Sequence, residues 1–500
     1  MSDCAYDLVI RNGTVATAAD TFVCDVAIRD GRIVALGEGL ARARNEIDAT
    51  GQYVLPGGVD AHCHLDQPMG PTVRMADDFE SGTRSAACGG TTTVIPFAAQ
   101  QKGESLRAAV DDYHRRAKGR ACIDYAFHLI VTDPTPAVLT EELPTLVEDG
   151  CTSFKIYMTY DDLKLDDCQI LECLAAARRL GALVMIHAEN ADCIAWLTKT
   201  LEAAGHTAPR YHADSRPPLV EREAIHRAIS LAELVDVAIL IVHVSGTEAM
   251  EQIRWAQVRG LPVFAETCPQ YLFLTATDLH RDGFEGAKYV CSPPPRDAEN
   301  QASLWRGLNS GVFQVFSSDH APFRFNDVHG KKAAGEHAPF RCIPNGIPGL
   351  ETRLPLLFSE GVLSGRIDIT RFVALTATNP ARIYGLYPRK GTIAVGSDAD
   401  ITLWHPGVEW TVTNEALHHN VDYTPYAGMR LNGRPITTLS RGQIVWSDGG
   451  YLGKAGSGQF LRCARPHAAQ RALDGTGRAS QAKSAPPLRH APERDRSAIA

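Results

Sequence analysis

Six residues able to contribute to a metal site lie in or just after apolar, strand-like runs that are spread along the sequence. They are His62, His64, Lys155, His187, His243 and Asp319. His62 and His64 are two residues apart, and side chains at that spacing on a strand point to the same side. A barrel of parallel strands gathers the ends of its strands at one mouth. The pattern therefore predicts a metal-dependent active site at such a mouth.

The first two histidines close the run YVLPGGVDAHCH. The alternative interpretation is a pair of buried histidines that are hydrogen-bonded within a core. Strand spacing next to an acidic residue favours metal ligands instead. The same alternation directs Cys63 away from the ion, so we interpret Cys63 as a packing residue.

Lys155 needs a chemical change before it can bind a cation, because a protonated amine repels one. Reaction of the amine with carbon dioxide would give a carbamate, which can bridge two ions. Taken alone, Lys155 would be interpreted as a structural ion-pair residue. Its place within the histidine series favours carbamylation.

The remaining polar positions could carry the proton transfers. His187 and His243 each fit a ligand or a hydrogen-bonded core histidine equally well. Asp319 could be a ligand, a general base or both, since a bound ion lowers the pKa of water towards about 7; the alternative is a capping aspartate. Tyr160, five residues beyond Lys155, could donate a hydrogen bond to an oxyanion or simply be an aromatic lid residue.

Eight apolar runs, separated by amphipathic helix-like stretches, would position these residues. The runs are 54–60, 91–97, 122–131, 152–157, 183–187, 237–243, 261–267 and 312–318. Eight is the strand number of a (β/α)8 TIM-like barrel. An open doubly wound sheet is the alternative, but no glycine-rich GxGxxG turn supports it.

Both ends of the chain contain short strand-like runs with hairpin signals at Asn12-Gly13, Asp30-Gly31 and Asn432-Gly433. We expect a small β-sandwich formed from both terminal regions. The predicted organisation is 1–54 and 388–455 for the two parts of the sandwich, 55–387 for the barrel, and 456–500 for a polar tail. Such a tail would be disordered or partly docked on a neighbouring subunit.

Composition excludes several classes of partner. A net charge of −8 argues against nucleic acid as a partner, and no apolar stretch reaches the ~18–20 residues that span a bilayer.

The 13 cysteines are scattered, none forms a CxxC pair, and no N-terminal signal is evident. Reduced thiols and a cytoplasmic location are therefore expected.

Several sequence blocks, in order, resemble those of the dihydropyrimidinase/hydantoinase family, the cyclic amidases of the amidohydrolase superfamily. The blocks are LPGGVDAHCH, GGTTTVIPF, SFKIYMTY, HAEN, HVSG, ETCPQYL, SPPPR, SSDHAPF and PNGIPGLETR, and the resemblance covers nearly all of residues 5–460. It implies a homotetramer that opens the ring of a small cyclic amide or ureide, a 5,6-dihydropyrimidine or 5-substituted hydantoin, to the N-carbamoyl amino acid.

The resemblance also implies two divalent ions, usually zinc, although manganese or cobalt would suit the same ligands. His62, His64 and Asp319 would hold one ion and His187 and His243 the other, with carbamylated Lys155 and a hydroxide bridging both. Asp319 would accept the proton of the attacking hydroxide and pass it to the leaving nitrogen. Tyr160 and one metal would stabilise the oxyanion.

Substrate contacts follow from the same resemblance. Family members hold the imide edge of the ring at positions that match Ser292 and Asn345. Loops after the first four strands would shape the pocket through Leu65, Phe97, Met158 and Tyr160.

One departure from the motif of a related family narrows the range of expected substrates. Dihydroorotases, which are close relatives, resemble HxHxR, whereas this chain has Asp66 in place of the arginine. We expect Asp66 to repel a ring that bears a carboxylate, so neutral rings fit better.

Three alternatives remain. An allantoinase or cyclic imide hydrolase would use a similar site. Non-catalytic relatives similar to collapsin response mediators have lost several ligands, whereas this chain keeps all six. A mononuclear amidohydrolase, such as a deaminase, would not need Lys155.

Overall fold

The structure, a computed structural model, describes residues 4–448 and 450–470. The chain begins with the strands β1 (Tyr6–Ala16), β2 (Thr21–Arg29), β3 (Arg32–Gly37), β4 (Ala43–Asp48) and β5 (Tyr53–Pro56). The barrel strands follow: β6 (Gly58–Cys63), β7 (Thr91–Ala99), β8 (Asp124–Tyr125), β9 (His128–Ile130), β10 (Ser153–Tyr157), β11 (Leu183–His187), β12 (Ile239–Ile241), β13 (Val263–Thr267) and β14 (Val315–Phe316). The last strands are β15 (Ile401–Thr411), β16 (Arg430–Ser440), β17 (Gln443–Ser447) and β18 (Gly450–Tyr451).

The barrel strands pair in parallel in the order β6-β7-β9-β10-β11-β12-β13-β14, and β8 also pairs with β7. Because β8 and β9 are two pieces of one run, the barrel has eight strand positions. The segment after β14 completes the ring: Cys63 pairs with His320, and Ser318 Oγ donates to the His62 carbonyl at 3.2 Å. The predicted (β/α)8 barrel is confirmed.

Helices lie between the barrel strands and after the barrel. Their bounds are α1 (Phe79–Cys88), α2 (Leu106–Ala117), α3 (Leu143–Glu148), α4 (Asp167–Leu180), α5 (Ala191–Ala203), α6 (Tyr211–Asp214), α7 (Pro218–Val235), α8 (Thr247–Val258), α9 (Gln270–Phe273), α10 (Ala298–Ser310), α11 (Arg353–Leu357), α12 (Ile369–Val373), α13 (Asn379–Ile383) and α14 (His467–Gln470). Wider helical turns extend several of them at Val138–Glu142, Phe358–Leu363 and Ala374–Thr378, and tight turns lie at Ala276–His280, Glu285–Tyr289, Phe340–Cys342 and Asn414–Ala416.

The helix α4 illustrates how local sequence sets these bounds. It begins after Asp166, whose side chain accepts a hydrogen bond from the Gln169 amide while the Gln169 side chain accepts one from the Asp166 amide. This reciprocal pair satisfies amides that the first turn leaves free. The helix ends at Gly181, whose φ of 65° is readily adopted by glycine. Ile170 and Leu174, four residues apart, are buried against the barrel layer.

The two terminal regions form one sheet with the order β18-β17-β16-β15-β5-β1-β2-β3, and β4 pairs with β1. Its own apolar core includes Ile10, Val26, Val54, Ile401 and Leu439. The predicted small β domain built from both ends of the chain is confirmed, and its strands are continuous in hydrogen bonding.

A buried lysine joins this sheet to the barrel. Lys390 Nζ lies 2.7 Å from Asp124 Oδ2 at the start of β8 and 2.6 Å from Asp400 Oδ2 just before β15. All three side chains are at least 96% removed from solvent. Removing one member of such a buried network leaves the others uncompensated, which is costly.

Residues 456–470, the beginning of the predicted polar tail, lie along the barrel of their own chain. The Leu461 amide donates to the Tyr125 carbonyl at 2.7 Å, and the Tyr125 amide donates to the Gln459 carbonyl at 3.0 Å. The Phe460 and Phe127 rings are 5.4 Å apart. Apolar side chains within the polar segment explain this docking. The rest of the predicted tail, residues 471–500, lies outside the described residues. No described helix is long and apolar enough to cross a membrane.

Candidate active site

Five barrel positions deliver the six metal-site candidates to one place. The strand β6 carries His62 and is followed by His64, β10 carries Lys155, β11 ends at His187, and His243 and Asp319 follow β12 and β14. His243 and Asp319 have positive φ angles of 38° and 47°. Such angles are uncommon for residues other than glycine and occur often at functional sites.

The candidate ligand atoms are close together. His62 Nε2 and His64 Nε2 lie 3.2 and 3.5 Å from the same Asp319 Oδ1. Lys155 Nζ lies 3.0 Å from His62 Nε2. The rings of His187 and His243 are 4.4 Å apart, and the ring of His243 is 5.4 Å from that of His62. All six residues predicted from the sequence therefore meet at one end of the barrel.

Burial and neighbouring charges together set the pKa values of Lys155 and Asp319. Burial lowers the pKa of the Lys155 amine to about 8, although Asp319 and Glu266 act in the opposite direction. Burial would raise the pKa of the Asp319 carboxyl, but His62, His64 and Lys155 outweigh it and the pKa is lowered. Asp319 is therefore an ionised carboxylate, and its side chain keeps 12% of its surface exposed.

The residues present fit a divalent ion. Donor atoms of His62, His64 and Asp319 lie within 4.8 Å of one another, and two imidazoles with a carboxylate are a common zinc ligand set. The buried His243 Nδ1 has no hydrogen-bond partner among the described residues. Burial also lowers the pKa of His62, His187 and His243, which favours the neutral imidazole that a metal requires.

Carboxylates that the sequence interpretation missed orient the histidines. Glu266 Oε1 lies 2.6 Å from His62 Nδ1 and also accepts the His243 amide at 3.1 Å. Glu189 Oε2 lies 2.8 Å from His187 Nε2. Partners of this kind fix ring orientation and tautomer. The signal was present: Glu266 lies near the end of β13, and Glu189 follows His187 by two residues within HAEN.

Tyr160, Ser292 and Asn345 form a polar group beside the metal-site candidates. The Tyr160 ring is 5.3 Å from the His187 ring, and Ser292 Oγ donates to Asn345 Oδ1 at 3.0 Å. Burial raises the pKa of the Tyr160 phenol, while Arg216 and a hydrogen bond with Ser292 act in the opposite direction. The phenol is therefore protonated at neutral pH and can donate a hydrogen bond.

The four predicted pocket-shaping residues divide into two pairs. Phe97 faces the barrel interior, with its ring 4.9 Å from that of His62, and Tyr160 lies nearby. Leu65 instead packs against Gly82 of α1, and Met158 belongs to the apolar cluster that contains the outward-facing residues of β10. The predicted pocket roles of Leu65 and Met158 are therefore wrong. Successive side chains along an extended segment alternate in direction, so Leu65 points outward after the inward His64. Met158 likewise points outward after the inward Tyr157.

Asp66 also differs from its predicted role. Arg116 of α2 donates to Asp66 Oδ1 at 2.9 Å and to its carbonyl. This ion pair already compensates the carboxylate, so Asp66 is not a free charge that repels a substrate. The chain still has no arginine at the HxHxR position to bind a substrate carboxylate.

Comparisons with known proteins identify the family of this chain. The sequence profile of the amidohydrolase family matches residues 53–445. The chain is 48% identical to the D-hydantoinase of Geobacillus stearothermophilus over 460 residues, which cover 91% of this chain and 96% of that one.

Solved structures give the same result. The dihydropyrimidinase of Brevibacillus agri NCHU1002 matches with a TM-score of 0.88 and 47% identity, covering 92% of this chain and 99% of the other. The L-hydantoinase of Arthrobacter aurescens matches with a TM-score of 0.83 and 30% identity, covering 91% and 100%. The chain therefore belongs to the hydantoinase/dihydropyrimidinase family of the amidohydrolases.

Proposed function

We propose that this protein hydrolyses a neutral cyclic ureide, a 5-substituted hydantoin or a 5,6-dihydropyrimidine, to the N-carbamoyl amino acid. The observation that carries the proposal is the meeting of all six metal-site candidates at one barrel mouth, with Asp319 Oδ1 close to both His62 Nε2 and His64 Nε2. The family relationship supports opening of a hydantoin or dihydropyrimidine ring over the allantoinase, imide hydrolase and non-catalytic alternatives. Greater identity to the D-hydantoinase than to the L-hydantoinase favours D-configured substrates.

Two divalent ions, most simply zinc, are proposed as cofactors. His62, His64 and Asp319 would hold one, His187 and His243 the other, and carbamylated Lys155 would contact both. When bound, the ions would supply a nucleophilic hydroxide at neutral pH and polarise the scissile carbonyl. Glu266 Oε1, 2.6 Å from His62 Nδ1, would accept a hydrogen bond from a protonated Nδ1 and so favour Nε2 as the metal-binding atom.

Carbamylation of Lys155 is chemically reasonable in this setting. Only the neutral amine can attack the carbon of carbon dioxide; the new N–C bond forms as one proton leaves the nitrogen, giving a carbamate anion. Burial lowers the pKa of Lys155 to about 8, so a larger fraction of the amine is neutral near pH 7 than for an exposed lysine.

The other steps use side chains of the chain itself. Asp319, an ionised carboxylate, would accept the proton of the attacking nucleophile and deliver it to the leaving ring nitrogen. The protonated Tyr160 phenol would donate a hydrogen bond to the oxyanion. Ser292 and Asn345, already 3.0 Å apart, would hold the imide edge so that the scissile carbonyl faces the metal-site candidates. Phe97 would form an apolar wall of the same cavity.

We further propose that the protein is a cytoplasmic homotetramer. All 13 cysteines lie within the described residues and are free thiols, which is consistent with a reducing compartment. The family resemblance supports the tetramer. Size-exclusion chromatography with light scattering would distinguish a tetramer from a monomer or dimer.

Asp319→Asn tests the proposed chemistry directly. The amide keeps the shape of the carboxylate but cannot accept the proton, so we expect a folded protein whose ring-opening rate falls by about 100-fold or more. The assay follows release of N-carbamoyl amino acid from a 5-substituted hydantoin and from dihydrouracil. A variant that retains nearly the full rate would remove Asp319 from this role.

A further inference from the structure

Lys331 is a buried lysine in the loop that follows the last barrel strand. It is 1% exposed, and its Nζ donates to the Val290 carbonyl at 2.9 Å and to the Pro344 carbonyl at 2.7 Å. The Phe323 ring centroid lies 5.7 Å from Nζ. The amine thus connects its own loop to backbone 41 residues before it and 13 residues after it.

The two carbonyls belong to the backbone that carries the proposed imide-edge contacts. Val290 precedes Ser292 by two residues, and Pro344 directly precedes Asn345. The Val290 carbonyl also accepts the Gly346 amide at 3.0 Å, so the two segments are bonded to each other as well as to the lysine. Their side chains then meet through the Ser292–Asn345 hydrogen bond.

The electrostatic setting of Lys331 is unusual. No carboxylate lies within ion-pair distance of Nζ in the described part of the chain, and burial lowers the pKa of the amine to about 7. A buried ammonium without a counter-ion is costly. Carbonyl dipoles and an aromatic ring provide its compensation here, so the amine depends on the geometry of these two segments and in turn restrains them.

We propose that Lys331 is a positioning residue that clamps the Ser292 and Asn345 segments in the geometry that recognises the imide edge of the substrate ring. This proposal rests on the proposed function for its substrate but not for its structural content. Lys331 touches the two backbone carbonyls and acts on substrate only through the neighbouring side chains. Loss of the clamp is expected to weaken ring binding more than it slows the chemical step, because the metal-site candidates lie on other strands.

The test compares Lys331→Met with Lys332→Met in the full-length, metal-loaded protein. Methionine has a similar length but no N–H donors. Lys332 is a matched control because its amine pairs with Glu336 at 2.6 Å within the same loop. For Lys331→Met we expect KM for a 5-substituted hydantoin to rise about tenfold, the size expected for losing a buried hydrogen-bond donor, with kcat changed less than about threefold. Lys332→Met should keep both constants.

Amide hydrogen exchange provides a readout that does not require activity. The Gly346 amide should exchange faster in Lys331→Met than in the wild type, with metal content unchanged. If Lys331→Met does not fold, Lys331→Ala, which also lacks N–H donors, should show the same split between KM and kcat. A wild-type KM together with unchanged Gly346 exchange would overturn the clamp. A wild-type protein that opens no ring would instead refute the proposed function, and the exchange measurement would still decide the clamp.

Discussion

Replacing Glu266 by alanine removes a buried carboxylate that contacts two proposed histidine ligands. Its Oε1 lies 2.6 Å from His62 Nδ1 and accepts the His243 amide at 3.1 Å. Without it, the His62 ring can rotate and can carry its proton on Nε2, where a metal should bind. Losing a partner of this kind weakens metal binding about 10- to 100-fold, which corresponds to about 1.4–2.7 kcal/mol.

Glu266→Gln keeps the hydrogen-bond acceptor and removes the ionisable group. The glutamine carbonyl can still accept from His62 and His243, and because burial raises the pKa of Glu266 to about 8, losing the charge costs less than losing the acceptor. We therefore expect a loss of about tenfold for glutamine and about 100-fold for alanine.

The assay is competition between the protein and a chromophoric chelator for zinc. Glu202→Gln is the control, because Glu202 pairs with Arg341 at 2.7 Å away from the proposed site; its zinc affinity should equal that of the wild type. Thermal unfolding confirms that each variant is folded. Wild-type zinc affinity in folded Glu266→Ala would refute the reasoning that this carboxylate orients the metal ligands.

Three further substitutions test other parts of the account. Lys155→Ala should lower bound metal from about two equivalents per chain to about one and abolish stimulation by bicarbonate, and two retained equivalents would contradict a bridging role. Lys390→Met should lower the free energy of unfolding by about 3–5 kcal/mol, measured by urea denaturation, whereas Arg222→Ala, whose ion pair with Glu248 is about half exposed on both sides, should cost less than about 1 kcal/mol; equal losses would contradict the proposed network. The hydrogen bond to Glu351 raises the pKa of His418, so its contribution to stability is present below about pH 6.5 and is lost as pH rises through the folded value. His418→Gln should therefore destabilise more at about pH 5.5 than at about pH 8.5, and an equal loss at both values would argue against this pair.

The positions of the metal-site candidates could be predicted because each depends on a local pattern. An apolar run that ends in a polar residue indicates a strand whose end lies at the barrel mouth. In the structure His187 ends β11 and Asp319 follows β14. The same pattern extended to Glu266 would have found the carboxylate beside His62. The position of Leu65 in the loop after β6 predicts a place in the pocket. Strand alternation, which is also a local rule, points its side chain outward, as the structure has it.

Contacts between distant segments could not be predicted in this way. Asp66 and Arg116 are 50 residues apart, and Lys390 and Asp124 are 266 residues apart. Neither pairing has a periodic signal, because each depends on which surfaces the fold brings together. Lys331 is a similar case: its loop is polar in sequence, yet the lysine is buried because two backbone carbonyls accept its hydrogen bonds.

The most direct test of the central claim is the ring-opening rate with and without metal. Protein supplied with zinc and bicarbonate, and the same protein after chelation, would be given dihydrouracil and both enantiomers of a 5-aryl hydantoin. We expect the loaded protein to release an N-carbamoyl amino acid, the chelated protein to release none, and zinc to restore the rate. Equal rates with and without metal, or no ring opening by fully loaded protein, would contradict the central claim.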